Sequence, residues 1–437
     1  MAIARQHKKK TCKKTWKKDV AFLVMKFGGT SVADINCMQR AASHIKREVE
    51  AGYKVCVVVS AMAGQTNQLV AWANKASNLY DAREYDAVVA SGEQVSAGLM
   101  AIVLNNIGIK ARSFSGWQVP IKTDEAHSAA RIVDIDPNNL IQSMNDGLVC
   151  IITGFQGISP SNRITTLGRG GSDTSAVAVA AAINAQRCDI YTDVDGVYTT
   201  DPRIEPKAKR LKKVAFEEML EMASLGAKVL QTRSVELAMA KKVRLLVRSS
   251  FDKPDEMEAN DDGYIGTLVC EEDEIVEKQI VSGVTLVKGE AKITIRGVKD
   301  YPGVAAAVFG ALADERIIVD MIVQNVSDDG RSTDITFTVP NDEYDKAMKA
   351  FDSTKDKFEF DRISGSKGNA KISVIGVGMR SHAGVASSMF RALADKGINI
   401  LLITTSEIKT SVLIKEEYGE LAVRSLHAHY GLDKENN

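Results

Sequence analysis

A twelve-residue pattern that returns 81 positions later constrains this chain more than any other feature. Gly303-Val304-Ala305…Phe309-Gly310-Ala311-Leu312-Ala313-Asp314 recurs as Gly384-Val385-Ala386…Phe390-Arg391-Ala392-Leu393-Ala394-Asp395, identical at eight of twelve positions. Apolar, strand-like runs flank the shared helical segment, so each copy reads strand, helix, strand, strand, helix. A duplicated βαββαβ module of this kind either packs simply as an α/β unit or also binds a ligand. The strand count is uneven. The first copy closes on a strand near 357–363, whereas the second runs out of chain after a helix at 416–429. The strand-like run 279–287 has no place in the first copy. The simplest assignment gives that run to the second module and inserts the first module within it.

Upstream, between residues 20 and 247, strand-like runs (54–59, 148–153, 189–192, 244–247) alternate with helical patterns (86–106, 173–184, 216–223). Such alternation marks an α/β domain with a largely parallel central sheet. The polar, acidic stretch 252–263 reads as a linker. At 437 residues the chain exceeds a single core and fits roughly two to four domains. No apolar run approaches the roughly 20 residues needed to span a bilayer. The zero net charge hides an asymmetry: residues 1–18 hold Arg5 and seven lysines without an acid, leaving 48 basic against 56 acidic residues elsewhere. That acidic body argues against nucleic acid as a partner. The basic segment 1–19 is expected to be a solvated, disordered tail, with an address or a membrane-surface contact as alternatives. Cys12, Cys37, Cys56, Cys150, Cys188 and Cys270 show no C-x-x-C spacing and read as thiols of a reducing, cytoplasmic compartment.

Chemistry gathers where glycines follow strands. Val24-Met25-Lys26-Phe27-Gly28-Gly29-Thr30-Ser31-Val32 closes an apolar run and precedes a helical pattern from Ala33. Glycines let backbone N–H groups approach an anion, a helix N-terminus adds partial positive charge, and Lys26 is a point charge for phosphate oxygens. The Walker spacing is absent. In Thr165-Thr166-Leu167-Gly168-Arg169-Gly170-Gly171-Ser172-Asp173, glycines precede a helix capped by Ser172 or Asp173, and Arg169 offers a planar fork for a carboxylate. Asp173 reads as an N-cap, a site anion, or both. From Tyr191 to Arg203 a strand ends in a polar turn with one aromatic, suited to an adenine and ribose edge; Asp193 and Asp195 read equally as turn caps. Ser60 to Asn67 and Gly154 to Gly157 follow other strands, at the edge where open α/β sheets bind ligands. Glu93, on an otherwise apolar helix, is costly to bury unpaired and is otherwise a partly exposed glutamate. His127, His382, His427 and His429 lack ligand-like spacing, so no resident metal is expected.

In this order the motifs and the paired modules resemble the aspartate kinases, members of the amino-acid kinase superfamily with tandem ACT domains, over about residues 22–432. The resemblance implies a three-layer α/β kinase domain over 20–270 and an ACT regulatory region over 279–437. Its first module would span about 289–365, its second about 370–432 plus the strand 279–287. An end after the modules leaves no room for the homoserine dehydrogenase of some relatives, so a monofunctional enzyme is expected. The implied reaction moves the γ-phosphoryl group of ATP, with Mg²⁺, to the β-carboxylate of L-aspartate. The product, 4-phospho-L-aspartate, opens lysine, threonine and methionine biosynthesis. By motif position, Lys26 and Asp173 would be catalytic, and Gly28, Gly29, Gly170 and Gly171 would cradle phosphates. Thr192, Asp193, Tyr198, Arg203 and Lys228 would face ATP; Ser60, Thr66, Glu93, Arg169 and Arg131 would hold aspartate. In the modules, the turns 300–303 and 381–384 would receive an effector's carboxylate, with Asp300, Gln324, Asn325, Asn399 and Ile400 as partners. Lysine, alone or in concert with threonine, is the expected inhibitor, and a homo-oligomer joined through the modules is expected, with no membrane partner. Two rivals are another amino-acid kinase, such as a glutamate 5-kinase, and a silent amino-acid sensor. A sensor would be expected to have lost Lys26, Arg169 or Asp173, and all three are present.

Overall fold

The computed structural model describes residues 21–225, 229–253, 264–275, 280–327, 330–352, 358–382 and 384–434. The basic tail, Lys228 and most of the acidic linker lie outside them. The chain opens with β1 (Phe22–Phe27), turns once in a 3-10 segment at Gly29–Val32, and enters α1 (Ile35–Glu50). Asp34 caps that helix by accepting from the Cys37 amide at 2.8 Å. The glycines therefore form a separate turn, and the helix starts beyond Ala33. Next come β2 (Lys54–Val59), α2 (Gln65–Ala76), α3 (Ala82–Val89), α4 (Ser91–Asn106) and β3 (Ala111–Phe114). They are followed by β4 (Ile121–Thr123), β5 (Ile132–Ile135), α5 (Asn138–Asn145), β6 (Val149–Thr153), β7 (Gln156–Ile158) and β8 (Ile164–Thr166). The half ends with α6 (Gly171–Ala182), β9 (Arg187–Thr192), β10 (Lys213–Ala215), α7 (Phe216–Ser224), α8 (Thr232–Lys241), β11 (Leu245–Ser249) and β12 (Thr267–Cys270).

Among the described residues the main sheet runs β10-β12-β11-β9-β1-β2-β6-β3, parallel except where β12 meets β11, and a smaller sheet runs β5-β4-β7-β8. Alternation along β1 sets the layers. Leu23, Met25 and Phe27 pack with Met38 and Ile45 of α1 and Met100 and Leu104 of α4. Val24 packs on the other face with Ala176 and Val177 of α6. Period two then places Lys26 on the α6 face. The helical pattern read at 86–106 resolves into α3 and α4, joined at Ala90, which keeps helical angles. By length and composition Ala82–Asn106 could cross a bilayer, yet 56% of its most apolar window is buried inside this half. It is a core helix pair.

The other half contains β13 (Gly283–Lys299), α9 (Val304–Asp314), β14 (Ile322–Val326), β15 (Ser332–Pro340) and α10 (Tyr344–Asp352). After them come β16 (Arg362–Ile375), α11 (Val385–Ala394), β17 (Leu402–Thr405), β18 (Lys409–Lys415) and α12 (Gly419–His429). One antiparallel sheet joins them, in the order β14-β15-β13-β16-β18-β17. Its two central strands each serve both repeats. Gly283 to Lys288 pair with Ala370 to Ile375, which lie against β18, whereas the later part of β13 lies between β15 and the segment from Arg362 to Ser366. Register shifts around Glu290 mark the crossing. The strand read at 357–363 begins instead at Arg362 and continues to Ile375. The repeated glycines have a backbone cause: Gly303 and Gly384 cap α9 and α11 at φ 100° and 101°, where a side chain is disfavoured.

Beneath the centre of the main sheet lies a cluster of charges. Arg248 donates to Glu48 at 3.1 Å and to Asp189 at 3.0 Å, and Arg187 donates to Asp189 at 2.7 Å and to Glu48 at 3.2 Å. None of the four is more than 8% exposed. Burial disfavours the Glu48 carboxylate, but Arg248 and its neighbours outweigh that and hold its pKa below the usual range. The cluster ties α1 to β9 and β11. Arg248→Ala leaves two buried carboxylates one cation short and is expected to destabilise the protein by about 3–5 kcal/mol. Urea unfolding followed by circular dichroism checks this; an unchanged first transition would remove the cluster's structural role.

Candidate active site

The carboxyl ends of β1, β2, β6 and β9 open on one side of the sheet, because these strands are parallel. From the α6 face of β1, Lys26 Nζ lies 2.6 Å from Asp173 Oδ1, with the two side chains 11% and 10% exposed. Neither Ser172 nor Asp173 caps α6 as expected. Gly170 is the N-cap at φ 71°, which leaves Asp173 in the first turn, paired with the lysine. A Cβ on Gly170 would fall 2.6 Å from Gln231 Cβ, so this turn has no room for a side chain. Loops from separate strands are tied together here. The Gly28 amide donates to the Tyr191 carbonyl at 3.4 Å, Ser31 Oγ donates to Ser250 Oγ at 2.8 Å, and the Ser60 amide donates to the Phe27 carbonyl at 3.1 Å. Gly29 packs so closely that a Cβ would stand 3.1 Å from the Ala61 carbonyl oxygen.

Glu93, on α4, reaches the same Ala61. Its Oε1 accepts the Ala61 amide at 3.0 Å, Oε2 is buried without a partner, and the residue is 3% exposed. Burial pushes its carboxyl up to about 7, against the smaller opposing effect of the Ala61 amide. Such an oxygen suits a cationic ligand group. Ser60 and Thr66 are half-buried after β2. Arg169 is exposed between β8 and α6, with no hydrogen-bond or ion-pair partner among the described residues. Arg131 is exposed, and its amide donates to Asp124 at 3.0 Å.

The proposed nucleotide contacts are less convergent. Thr192 ends β9 and its hydroxyl donates to the exposed Asp193 at 3.1 Å. Tyr198 donates its hydroxyl to Asp195 at 2.9 Å, and burial first, then Asp195, pushes its pKa to about 12. The Arg203 side chain is 90% exposed and closes on Asp201 of its own turn at 2.7 Å. The effector candidates also separate. Gln324 and Asn325 are exposed on β14, whereas Asn399 and Ile400 precede β17, which starts only at Leu402. Those strands are opposite edges of the sheet, so one copy does not bring the four residues to one place. Asp300 is exposed, its amide donating to the Arg331 carbonyl at 2.9 Å.

Long-range residues were missed in the sequence. Glu218 on α7 accepts from the amides of Ala215 and Val377 and from the Ser282 hydroxyl. Thr199 Oγ1 lies 2.9 Å from His427 Nε2, and the Val284 amide donates to the Thr199 carbonyl at 2.8 Å. These bonds fasten the repeat half to α7 and to the turn after β9. Nothing local in the sequence pairs Glu218 with residue 377.

The amino acid kinase family model matches residues 21–249, and the ACT domain model matches residues 293–354 and 372–430. An aspartate kinase of Pseudomonas putida is 49% identical over 415 residues, 95% of this chain and 98% of that protein. E. coli aspartokinase III in complex with aspartate and ADP (R-state) superposes with TM-score 0.75 at 28% identity, covering 93% of this chain and 99% of that one. Its structure in complex with lysine and aspartate (T-state) also superposes with TM-score 0.75, at 28% identity, over 94% and 99% of the two chains. Fold and site together define an amino-acid kinase carrying ACT domains. Within that class the chain belongs to the aspartate kinases.

Glu93 yields a prediction independent of any ligand. With its carboxyl raised from 4.5 to about 7, the native protein holds a proton that the unfolded chain releases. Its contribution to stability is therefore full below pH 4.5 and is lost as pH rises through about 7. Carbon-13 NMR of glutamate-labelled protein is expected to show one carboxyl titrating near 7 that vanishes in Glu93→Gln. A spectrum in which every glutamate titrates near its ordinary value would overturn the assignment.

Proposed function

We propose that this enzyme transfers the γ-phosphoryl group of ATP to the β-carboxylate of L-aspartate, forming 4-phospho-L-aspartate. The observation that carries the reading is the nearly dry Lys26–Asp173 pair at the glycine turns. A carboxylate oxygen of aspartate attacks the γ-phosphorus while the bond to the β–γ bridging oxygen breaks, and ADP leaves. The nucleophile needs no general base, because a model carboxyl with a pKa of about 3.9 is already ionised. What remains is to bring two anions together and to stabilise charge in line. Lys26 neutralises phosphate oxygens and Asp173 orients it. The amides at Gly28, Gly29, Gly170 and Gly171 receive further oxygens. Arg169 takes the substrate's α-carboxylate, Glu93 its ammonium group, and Ser60 and Thr66 offer hydroxyls beside them. Thr192 and Tyr198 stand at the nucleotide edge. Among the described residues no group of three or more His, Cys, Asp or Glu side chains is arranged for a metal. With Asp173 engaged by Lys26, Mg²⁺ would arrive with the nucleotide's phosphates and would supply charge neutralisation there.

Cytoplasmic amino-acid biosynthesis towards lysine, threonine and methionine is the setting this reading proposes, with lysine as inhibitor, alone or in concert with threonine. The lysine complex of the E. coli relative supports that effector. Edge strands β14 and β17 expose Ile322 (48%), Val326 (56%) and Ile403 (41%), which favours covering by a second copy. The separated effector residues would then meet between copies.

A coupled assay of ADP release across an amino-acid panel tests the reaction. Lys26→Ala is expected to lower kcat by about 10²–10³-fold with the fold intact. Arg169→Ala and Glu93→Gln are expected to raise the KM for aspartate far more than that for ATP. Near-normal turnover in a folded Lys26→Ala enzyme would end the phosphate role. In the same assay lysine, or lysine with threonine, is expected to lower activity and raise the melting temperature. If no combination does either, the modules are structural.

A further inference from the structure

We propose that Asp86 is a positioning residue for Arg169, setting affinity for the amino-acid substrate without touching it. The inference rests on the reading of Arg169 as the carboxylate fork. Asp86 lies on α3, seven residues before Glu93. Seven residues are two helical turns, so both carboxylates lie on one face of the α3–α4 pair. Between them, the Ala90 carbonyl accepts from the Gln156 side chain at 2.9 Å.

The Asp86 side chain is fully buried and fully engaged. It accepts from Thr166 Oγ1 at 2.6 Å and from the Ser128 amide at 3.0 and 3.1 Å, and it meets His127 Nδ1 at 2.8 Å. Those contacts reach two loops that converge on Arg169. Thr166 ends β8, three residues before the arginine. Ser128 holds φ 68°, a region sparsely used outside glycine, and the bonds from Asp86 pin its amide there. The Ser128 carbonyl oxygen would stand 3.3 Å from a Cβ on Gly168, whose φ is 75°. The residue immediately before Arg169 therefore rests on the residue that Asp86 fixes. The Ala130 amide donates to the Thr166 carbonyl at 2.9 Å, and Arg233 bridges the Leu167 and Ala130 carbonyls at 2.7 and 2.8 Å, closing the two loops on each other.

Each Asp86 oxygen is held by two of these contacts, so the fully buried carboxylate gathers both loops into one network. Arg169 has no partner of its own among the described residues and takes its place from this support. The helix pair that sets the arginine loop also carries Glu93. It thus fixes the spacing between the groups for a substrate's α-carboxylate and its ammonium.

Steady-state kinetics and melting curves of the full-length enzyme test this. Asp86→Asn and Thr166→Val are expected to raise the KM for aspartate about tenfold or more, with the KM for ATP within about twofold. Thr166→Val removes a single bond and decides the matter if Asp86→Asn does not fold. Adding Thr166→Val to Arg169→Ala is expected to cause no further loss, since both act through one group. Equal rises for both substrates, or an additive double variant, would show a merely structural role and overturn the proposal. So would an unchanged aspartate KM in these variants when Arg169→Ala raises it. If Arg169→Ala itself leaves that KM unchanged, the reading of the fork falls, and this inference with it.

Discussion

Lys26 and Asp173 stand 2.6 Å apart with little water around either, and the catalytic half is arranged about that contact. Desolvating two charges costs several kcal/mol per ion, so the pair persists only where geometry is good and each neutralises the other. Strand alternation supplies one partner: Lys26 follows Val24 on the α6 face of β1. The left-handed Gly170 supplies the other, by starting α6 early enough to leave Asp173 in its first turn. A lysine ammonium carries three donors, and Asp173 stands on one side of it, so capacity remains for phosphate oxygens. The pair thus fixes the strand, the helix and the turns between them in one register.

Around it, support comes in two forms. The Arg248 cluster braces β9 and β11 from below, and hydrogen bonds at Glu218 and Thr199 brace α7 and the turn after β9 from the side. Bridges to the repeat half include those of Ser282, immediately before β13, of Val377 and of His427 in α12. All three belong to the group of strands and helices that forms around β18. A ligand held by that half acts on catalysis only through a difference in its affinity for two arrangements of these contacts.

How far the sequence discloses this depends on the range of the interaction. Lys26, the glycines and Asp173 lie in short motifs whose backbone demands are local, and the parallel sheet follows from alternation alone. The repeat likewise announced its helices, because both glycine caps demand the same left-handed angle. Helix starts shift where the cap is set elsewhere: the Asp34 carboxylate delays α1 to Ile35, and the left-handed backbone of Gly170 starts α6 ahead of Ser172 and Asp173. Arg203 reads as a nucleotide contact by its place in the turn, and a neighbouring aspartate two residues away holds its guanidinium there. Asp86 was passed over because it sits within an apolar helical pattern. Its spacing of seven from Glu93 was the available clue. Glu218, His427 and Arg248 act across distances that no local pattern records.

The shared strands of the repeat half also bear on how the protein is made. Gly283 to Lys288 emerge from the ribosome early, yet their partners in β16 begin at Ala370, 82 residues beyond Lys288. At a synthesis rate of about 5–20 residues per second that interval is several seconds or more. During it the intervening repeat, whose β14 and β15 precede most of its own β16 edge, has most of its chain in hand and can begin to collapse. The flanking repeat cannot close until α12 has been released, after every strand of the intervening repeat. The repeat that carries the bridges to the catalytic domain therefore closes after the one inserted within it, and the regulatory joint forms only once both have emerged.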